Sequence, residues 1–365
     1  MNNESEASME QNLYSLYIDY AKALGIFFVV MGHYYSPPIP VFNPYIFHMP
    51  LFFFIGGILF NPKKEFAKVF KKVVKSHLLY LAIIYVSIGI ISKIISSLTG
   101  VKISDGLYLN PIETLTKAYN SNMSESRLFL VSWFLLSYAF VSLAASLLHN
   151  LLRKISLNHA SKYYLMVTFI SGIASMNYLP ALYVEHKVQA LNLLCQIGVG
   201  LMFYSAGYAS RSFLYKNLSI IGSFFLFIIA AYLVRKNMLH MNFMVWSKYP
   251  DGVIITLFGS IAGIYIVLFF AKALSCMRPS KVLLHIGRNT KTIMSWHLLS
   301  FLLIDLSLSH IGLFDFKSYN SGGYHVFNAP SLWGVYMLGG MFIPLSFLWV
   351  GNRIIRRATM TKDVH

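Results

Sequence analysis

Four ionisable side chains, Asp19, Lys22, His33 and His48, lie within the apolar sequence of residues 17–60. An ionisable residue inside a membrane span indicates a functional site, because a specific interaction must offset the cost of its desolvation. Lys22 and His33 are eleven positions apart, so a helix places them on one face, about 16 Å apart along its axis. Asp19 is within pairing distance of Lys22 on that face. The pattern predicts a charged pair at one end and an imidazole near the other, although the pair has a plainer interpretation as a stabilising interfacial contact.

The chemistry that His33 and His48 suggest is proton transfer. A short connection, SPPIPVFNP, keeps their two helices adjacent, so we expect both rings to reach one cavity. A neutral imidazole is the commonest general base near physiological pH and would accept the proton of an incoming hydroxyl. The alternatives are a structural His33 bonded to a neighbouring carbonyl, and a polar His48 ring tolerated at the start of a span. With no Cys, Asp or Glu beside them, no metal site is expected.

A second group of cations is predicted near the other membrane surface. Lys71, Lys72 and Lys75 lie at the start of the third apolar window, and Arg288 and Lys291 open the ninth. Together with Lys22, these residues would form a basic funnel for a phosphorylated ligand. A long thin arm of that ligand would carry its reactive end to the histidines. The lysines before the third window also have a plainer interpretation, as a topology signal in contact with anionic lipid.

Composition indicates which solvent surrounds the elements that carry these residues. The chain has 365 residues, of which 56% are hydrophobic and 12% charged, and its mean hydropathy is +0.59. A soluble domain carries about 25% charged residues, so lipid is the expected solvent. The net charge of +17 does not indicate nucleic-acid binding, because basic residues collect in the cytoplasmic loops of membrane proteins. We therefore predict one all-α, polytopic membrane domain and no nucleic-acid partner.

About ten apolar windows are long enough to be considered as membrane spans. They fall near residues 17–35, 44–60, 74–97, 127–149, 160–179, 189–209, 217–234, 251–274, 288–309 and 329–351, the second and seventh being short. Alternate connections after the second window carry most of the basic residues, so the positive-inside rule predicts cytoplasmic termini. The predicted organisation is a polar tail over residues 1–16, a transmembrane domain over 17–351 and a basic tail over 352–365.

Five segments of the chain together resemble the membrane acyltransferase-three family. The run from Lys22 to His33, preceded by Asp19, is similar to the motif of that family's first helix. FHMPLFFFIGGILF resembles the second helix of the fucose 4-O-acetylase-like branch. KKVVKSHLLY is similar to a basic motif that opens the third helix of the family. Trp133-Phe134-Leu135 is similar to its tryptophan motif. HIGRNTKTIMSWH, which ends at His297, is similar to a late glycine–serine–histidine segment.

The resemblance implies a multi-pass O-acyltransferase of the inner or plasma membrane. Such an enzyme takes an acetyl group from cytoplasmic acetyl-CoA and passes it to a sugar hydroxyl of a surface polysaccharide or lipid-linked glycan. His33 would be the catalytic histidine, and Lys22, Lys72 and Lys75 would hold the phosphates of acetyl-CoA. Lysine stands here where arginine is usual in the family, which keeps the charge but loses the bidentate fork.

The predicted site has three parts. They are catalytic residues Asp19, His33 and His48, acetyl-CoA-binding residues Lys22, Lys72, Lys75 and Arg288, and acceptor-binding residues Trp133 and His297. Trp133 is alternatively an interface-belt aromatic, and His297, like Asp305, is alternatively a hydrogen-bonding partner in helix packing. Two rival functions stay open: a glycan exporter, because polar residues inside a bundle also mark transport paths, and a non-catalytic subunit.

Overall fold

The computed structural model describes residues 3–34, 43–103, 106–277, 279–318 and 330–360, and these form helices and connections without a β-strand. The helices of eight or more residues are α1 (Asn3–Gly32), α2 (His48–Ile58), α3 (Phe66–Thr99), α4 (Pro111–Asn120), α5 (Ser132–Ile155), α6 (Ala160–His186), α7 (Gln189–Ser210), α8 (Ile220–Arg235), α9 (Gly252–Ser275), α10 (Lys281–Arg288), α11 (Thr290–His310) and α12 (Trp333–Met360). The predicted all-α fold class is confirmed.

Each of the ten apolar windows contains one of these helices. In the described part of the chain, seven helices are long and apolar enough to cross a membrane. Three shorter apolar helices, His48–Ile58, Ile220–Arg235 and Trp333–Trp349, fill the remaining windows. The chain is therefore a multi-pass membrane protein, while the number of crossings and the cytoplasmic position of the termini stay predictions.

Several helices extend beyond the apolar windows. α1 begins at Asn3 and α12 continues to Met360, so much of both predicted tails is helical. α3 begins at Phe66, because the lysine-rich stretch before the apolar window is itself helical. A π turn at Val74–Leu78 interrupts α3, and π turns occur frequently at functional sites. Most of the proline-rich connection, residues 35–42, lies outside the described residues, as does the end of the basic tail, residues 361–365.

α1 is the centre of the bundle, since it packs against α2, α9, α10, α11 and α12. Among these partners, α2 has every residue from His48 to Ile58 buried. A helix that is hydrophobic all round is expected to be enclosed by protein or lipid, and here other helices enclose it. Its eleven residues therefore serve to hold one end of the site within the bundle.

Close backbone contact between α2 and α7 fixes α2 in place. A Cβ atom at Gly57 would lie 1.7 Å from the carbonyl oxygen of Tyr204, and one at Gly207 would lie 2.0 Å from that of Phe54. Small residues let membrane helices approach closely enough for such packing. Glycine at these two positions thus sets the depth at which His48, the first residue of α2, enters the bundle.

Candidate functional site

Three histidines from three helices meet near the end of α1. His33 follows the last residue of α1, His48 opens α2 and His297 lies in α11, and all three are buried. The ring centroids of His33 and His297 are 5.1 Å apart. Sequence spacing predicted that His33 and His48 would share a cavity, which they do, and the fold adds His297 to the cluster.

Hydrogen bonds to backbone carbonyls fix the ring nitrogen that carries the proton in two of these histidines. His48 Nδ1 donates to the carbonyl oxygen of Pro44 at 2.5 Å. His297 Nδ1 lies 3.1 Å from the carbonyl oxygen of Ile293 and 2.9 Å from that of Met294. Since a carbonyl can only accept, Nδ1 holds the proton and Nε2 of the neutral ring holds a lone pair. Nε2 of His297 is buried and has no hydrogen-bond partner among the described residues.

Tyr45 connects the histidines to one another. Its hydroxyl lies 3.3 Å from His33 Nδ1, and its ring centroid is 5.0 Å from that of His48. Tyr45 lies in a 3₁₀ turn, Pro44–Ile46. Asn43 caps this turn, and its side chain accepts a hydrogen bond from the Tyr45 amide. Sequence analysis missed Tyr45, because a tyrosine at the edge of an apolar window looks like an ordinary interface aromatic.

The cluster borders a cavity of about 190 Å³. His33, Tyr45, His48 and Trp133 are among the residues that line it. Trp133 is only 6% exposed, so its alternative interpretation as a lipid-facing belt residue is wrong. The cavity is large enough for a thioester and a hydroxyl group, and its lining is mostly apolar. Polar groups in such an environment act without competition from water.

Asn242 supplies an unused hydrogen-bond donor to the same cavity. Its side chain is buried, its Oδ1 accepts a bond of 3.4 Å from the Thr256 hydroxyl, and its Nδ2 has no partner among the described residues. A donor held in this way can stabilise negative charge that develops on a reacting oxygen. Sequence analysis missed Asn242, since a single asparagine in a long connection forms no pattern.

The predicted charged pair lies at the other end of this face of α1. Asp19 Oδ1 is 2.6 Å from Lys22 Nζ, and Asp19 Oδ2 accepts a 3.1 Å bond from Arg288 Nε. A Cβ at Gly287 would lie 2.0 Å from the Asp19 carbonyl oxygen, so close contact of α10 with α1 brings Arg288 here. Asp19 precedes His33 by fourteen positions, about 21 Å of helix. The structure therefore groups Asp19 with the cations rather than with the histidines.

The lysines of α3 are exposed, and one further cation lies close to them. Lys72 and Lys75 point to the surface around the π turn. Lys291, in the first turn of α11, donates a hydrogen bond to the carbonyl oxygen of Ser76, and its Nζ is 3.6 Å from the centroid of the Tyr80 ring. A cation over an aromatic face is stabilised by the ring quadrupole. This pairing joins the basic ends of α3 and α11.

His297 and Asp305 lie on the same helix and have different partners. Asp305 is fully buried and accepts a hydrogen bond from the Tyr336 hydroxyl of α12, as expected for a residue that joins two helices. His297 instead bonds carbonyls of its own helix and directs its ring toward His33. The packing interpretation thus fits Asp305, whereas His297, within the described part of the chain, bonds only carbonyls of α11 itself.

A family model described as an acyltransferase domain matches residues 15–349 of the chain. Comparisons with curated proteins and with solved structures found no match. The matched range begins before Asp19 and ends after His297, so all the candidate site residues described above lie within it. It also covers the ten apolar windows almost completely.

Proposed function

This chain belongs to the acyltransferase-three family, and we propose that, as a membrane acyltransferase, it moves an acetyl group from acetyl-CoA to a sugar hydroxyl. The acceptor is a surface polysaccharide or a lipid-linked glycan, and the enzyme resides in the inner or plasma membrane. The observation that carries the proposal is the arrangement of α1, which has cations at one end and a histidine cavity at the other. We also propose that the chain belongs to the fucose 4-O-acetylase-like branch of the family.

The cations at the first end suit the phosphates of acetyl-CoA. Lys22 and Arg288 share the single carboxylate of Asp19, so this group keeps a net positive charge. The Arg288 side chain is 66% exposed and Lys22 is 23% exposed, which leaves both accessible to a ligand. Lys72 and Lys75 add charge from α3. Arg and Lys are the usual phosphate-binding residues in proteins.

The length of α1 suits the shape of this substrate. Lys22 and His33 are separated by eleven positions, about 16 Å of helix. The pantetheine arm of acetyl-CoA is long, thin and uncharged, so it can extend through an apolar bundle while the phosphates stay at the surface. The thioester would then lie in the histidine cavity. The thioester and the acceptor would thus meet inside the protein, although they arrive from opposite sides.

The proposed chemical step is a direct transfer. The acceptor oxygen forms a bond to the thioester carbonyl carbon while its proton passes to the His33 imidazole. The C–S bond of the tetrahedral intermediate then breaks, and the imidazolium returns the proton to the thiolate, which gives the acetyl ester and free CoA. In this proposal Nδ2 of Asn242, which lines the same cavity, donates a hydrogen bond to the carbonyl oxygen as it becomes negative.

Two neighbours would position the His33 ring. The Tyr45 hydroxyl lies beside Nδ1 of His33, and the His297 ring is in contact with the His33 ring. His297 Nε2 has a lone pair and no partner in the described residues, so it can accept a proton from this cluster. His48, held by Pro44, completes the polar side of the cavity. In this proposal His33 is the catalytic residue, and Tyr45 and His297 are positioning residues.

Acetyl transfer from radiolabelled acetyl-CoA tests the proposal. The purified protein in lipid nanodiscs is incubated with the labelled thioester and a panel of methyl glycosides of fucose, rhamnose, galactose, glucose and N-acetylglucosamine. We expect acid-stable, base-labile label in at least one glycoside with the wild type. His33→Ala should reduce it by about 10²–10⁴-fold. His159→Ala, which removes an exposed histidine before α6, is the matched control and should leave the rate unchanged.

Two results would count against the proposal. Equal labelling by the wild type and His33→Ala would remove the histidine from the mechanism. Movement of a lipid-linked glycan across proteoliposomes, without incorporation of label into any glycan, would favour the exporter instead.

A further inference from the structure

A large open cleft lies next to the histidine cavity and has no assigned role. Its volume is about 1100 Å³. The end of α6 and the connection between α8 and α9, residues 236–251, form most of its walls, and Asn43 and Ile46 near the end of α1 contribute. The cleft therefore opens at the end of the bundle where His33 lies.

Three aromatic residues separate this cleft from the histidine cavity. Phe243, Trp246 and Tyr249 line both spaces, so they form a shared wall. The Phe243 ring packs against that of Tyr45, with centroids 5.5 Å apart, and Tyr45 in turn contacts His33. A ligand in the cleft that touches Phe243 is thus separated from the proposed catalytic histidine by two aromatic rings, those of Phe243 and Tyr45.

Three side-chain amides hold this wall in place by donating hydrogen bonds to one backbone carbonyl. The Val245 carbonyl oxygen accepts hydrogen bonds from the side chains of Asn122, Asn192 and Gln196, at 2.6, 3.0 and 2.9 Å. The Ser247 hydroxyl donates a further bond of 2.6 Å to Asn192 Oδ1. A fully satisfied buried polar network holds a segment in one arrangement. The shared wall is therefore held in one conformation, which suits the binding of a defined ligand.

The polar groups of the cleft suit a ligand rich in hydroxyl groups. Asp251, whose side chain is 5% exposed, accepts bonds from the backbone amide of His240 at 2.6 Å and from His240 Nδ1 at 2.5 Å. The His240 side chain is 51% exposed, which leaves its Nε2 to contact a ligand. Glu185, near the end of α6, also lines the cleft, and the charge of Lys248 balances part of this acidity. A balanced site of this kind favours a neutral ligand over a polyanion.

We infer that this cleft binds the acceptor sugar, with Trp246 packed against the apolar face of the pyranose ring and with His240 and Glu185 contacting its hydroxyl groups. Ligand sites commonly combine aromatic surface with a few placed polar groups. Tyr249 completes the wall, and burial raises the pKa of its hydroxyl well above the ordinary value, so this group stays protonated and neutral. The inference rests on the proposed acetyl transfer and names the site at which the acceptor binds before transfer.

Acceptor kinetics in nanodiscs test the inference, with whichever methyl glycoside of the panel accepts label as the probe. Trp246→Ala and His240→Ala should each raise KM for the glycoside about tenfold, the loss expected from removing one well-made contact. KM for acetyl-CoA should stay within about twofold in His240→Ala, because His240 lines the cleft and is not among the residues that line the histidine cavity. Trp246→Phe, which keeps the aromatic face, should restore most of the affinity.

Trp349→Ala is the matched control, since it removes an exposed tryptophan of α12 that does not line the cleft. Unchanged glycoside KM in both Trp246→Ala and His240→Ala would overturn the cleft assignment while wild-type transfer still stands. Absence of transfer by the wild type would defeat the proposed function itself. If an alanine variant fails to fold, Trp246→Leu, which keeps an apolar side chain but removes the aromatic face, and His240→Gln give the same comparison. Labelling of the cleft by a photoreactive lipid that excess glycoside does not reduce would also overturn the assignment.

Discussion

The imidazole rings of His33 and His297 lie with their centroids 5.1 Å apart, although one stands at the end of α1 and the other in the late helix α11. Direct packing of α11 against α1 creates this pair. Because His297 donates its Nδ1 proton to its own helix, the lone pair of Nε2 is available to the cluster. The two rings are thus in direct contact, and His297 is placed to position the ring of His33.

Replacement of His297 by asparagine separates a packing role from a role in proton handling. Asparagine places an amide near the position of Nδ1, so it keeps a donor toward Met294, but it removes Nε2. We expect His297→Asn to retain the thermal stability of the wild type and to lose about 10²-fold in kcat for acetyl transfer. KM for acetyl-CoA should not change. A variant with full kcat would show that His297 serves helix packing alone.

The cations at the far end of α1 should act on the phosphates of acetyl-CoA and on nothing else in the reaction. Lys22→Ala and Lys72→Ala are each expected to raise KM for acetyl-CoA about tenfold, as loss of a charge-assisted hydrogen bond implies. KM for S-acetyl-N-acetylcysteamine, a thioester without phosphates, should stay the same. The effect with acetyl-CoA should shrink at high salt, because these residues are partly exposed.

Lys162→Ala provides the control for those variants, since it removes an exposed lysine near the start of α6. It should leave KM for both thioesters unchanged. An equal rise in KM for both thioesters in Lys22→Ala would contradict phosphate binding. It would indicate instead that the Asp19–Lys22 pair supports the fold.

The positions of the apolar helices were predictable from the sequence, because hydrocarbon thickness sets the length of an apolar run. Their ends were not, since helices α1, α3 and α12 continue into polar sequence beyond the apolar windows. The complete burial of α2 was not predictable either. Apolar composition does not distinguish a helix surrounded by lipid from one surrounded by other helices.

Part of the candidate site was also predictable from the sequence, because regular helix geometry fixes the spacing of residues along one helix. The spacing of Lys22 and His33 follows from helical periodicity alone, and the short connection places His48 nearby. Tyr45 and Asn242 reach the cavity through tertiary packing of two connections, which leaves no trace in local sequence. Asp19 was predicted with the catalytic group, but α10 brings Arg288 to it at the opposite end of α1.

Asn242 gives a prediction about the transition state rather than about binding. Removal of one hydrogen-bond donor to a developing oxyanion typically costs about 10²–10³-fold in kcat. We expect that loss for Asn242→Ala, with KM values for both substrates nearly unchanged. Asn242→Asp should be at least as slow, because it places a carboxylate where negative charge develops. Asn242→Ala with kcat within a few-fold of the wild type would exclude the proposed role.

The contact between α2 and α7 allows a test of the fold with a matched pair of glycines. Gly57→Ala forces a methyl group against the Tyr204 backbone, whereas a Cβ at Gly334, in the first turn of α12, would meet no atom within 4 Å. Overpacking of this kind costs about 1–3 kcal/mol, and rigid backbone on both sides places Gly57→Ala toward the upper end. Thermal unfolding in detergent should therefore show a lower midpoint for Gly57→Ala and an unchanged or slightly higher one for Gly334→Ala. Equal midpoints would mean that α2 does not sit against α7 as described, and the depth of His48 in the bundle would then lose its structural explanation.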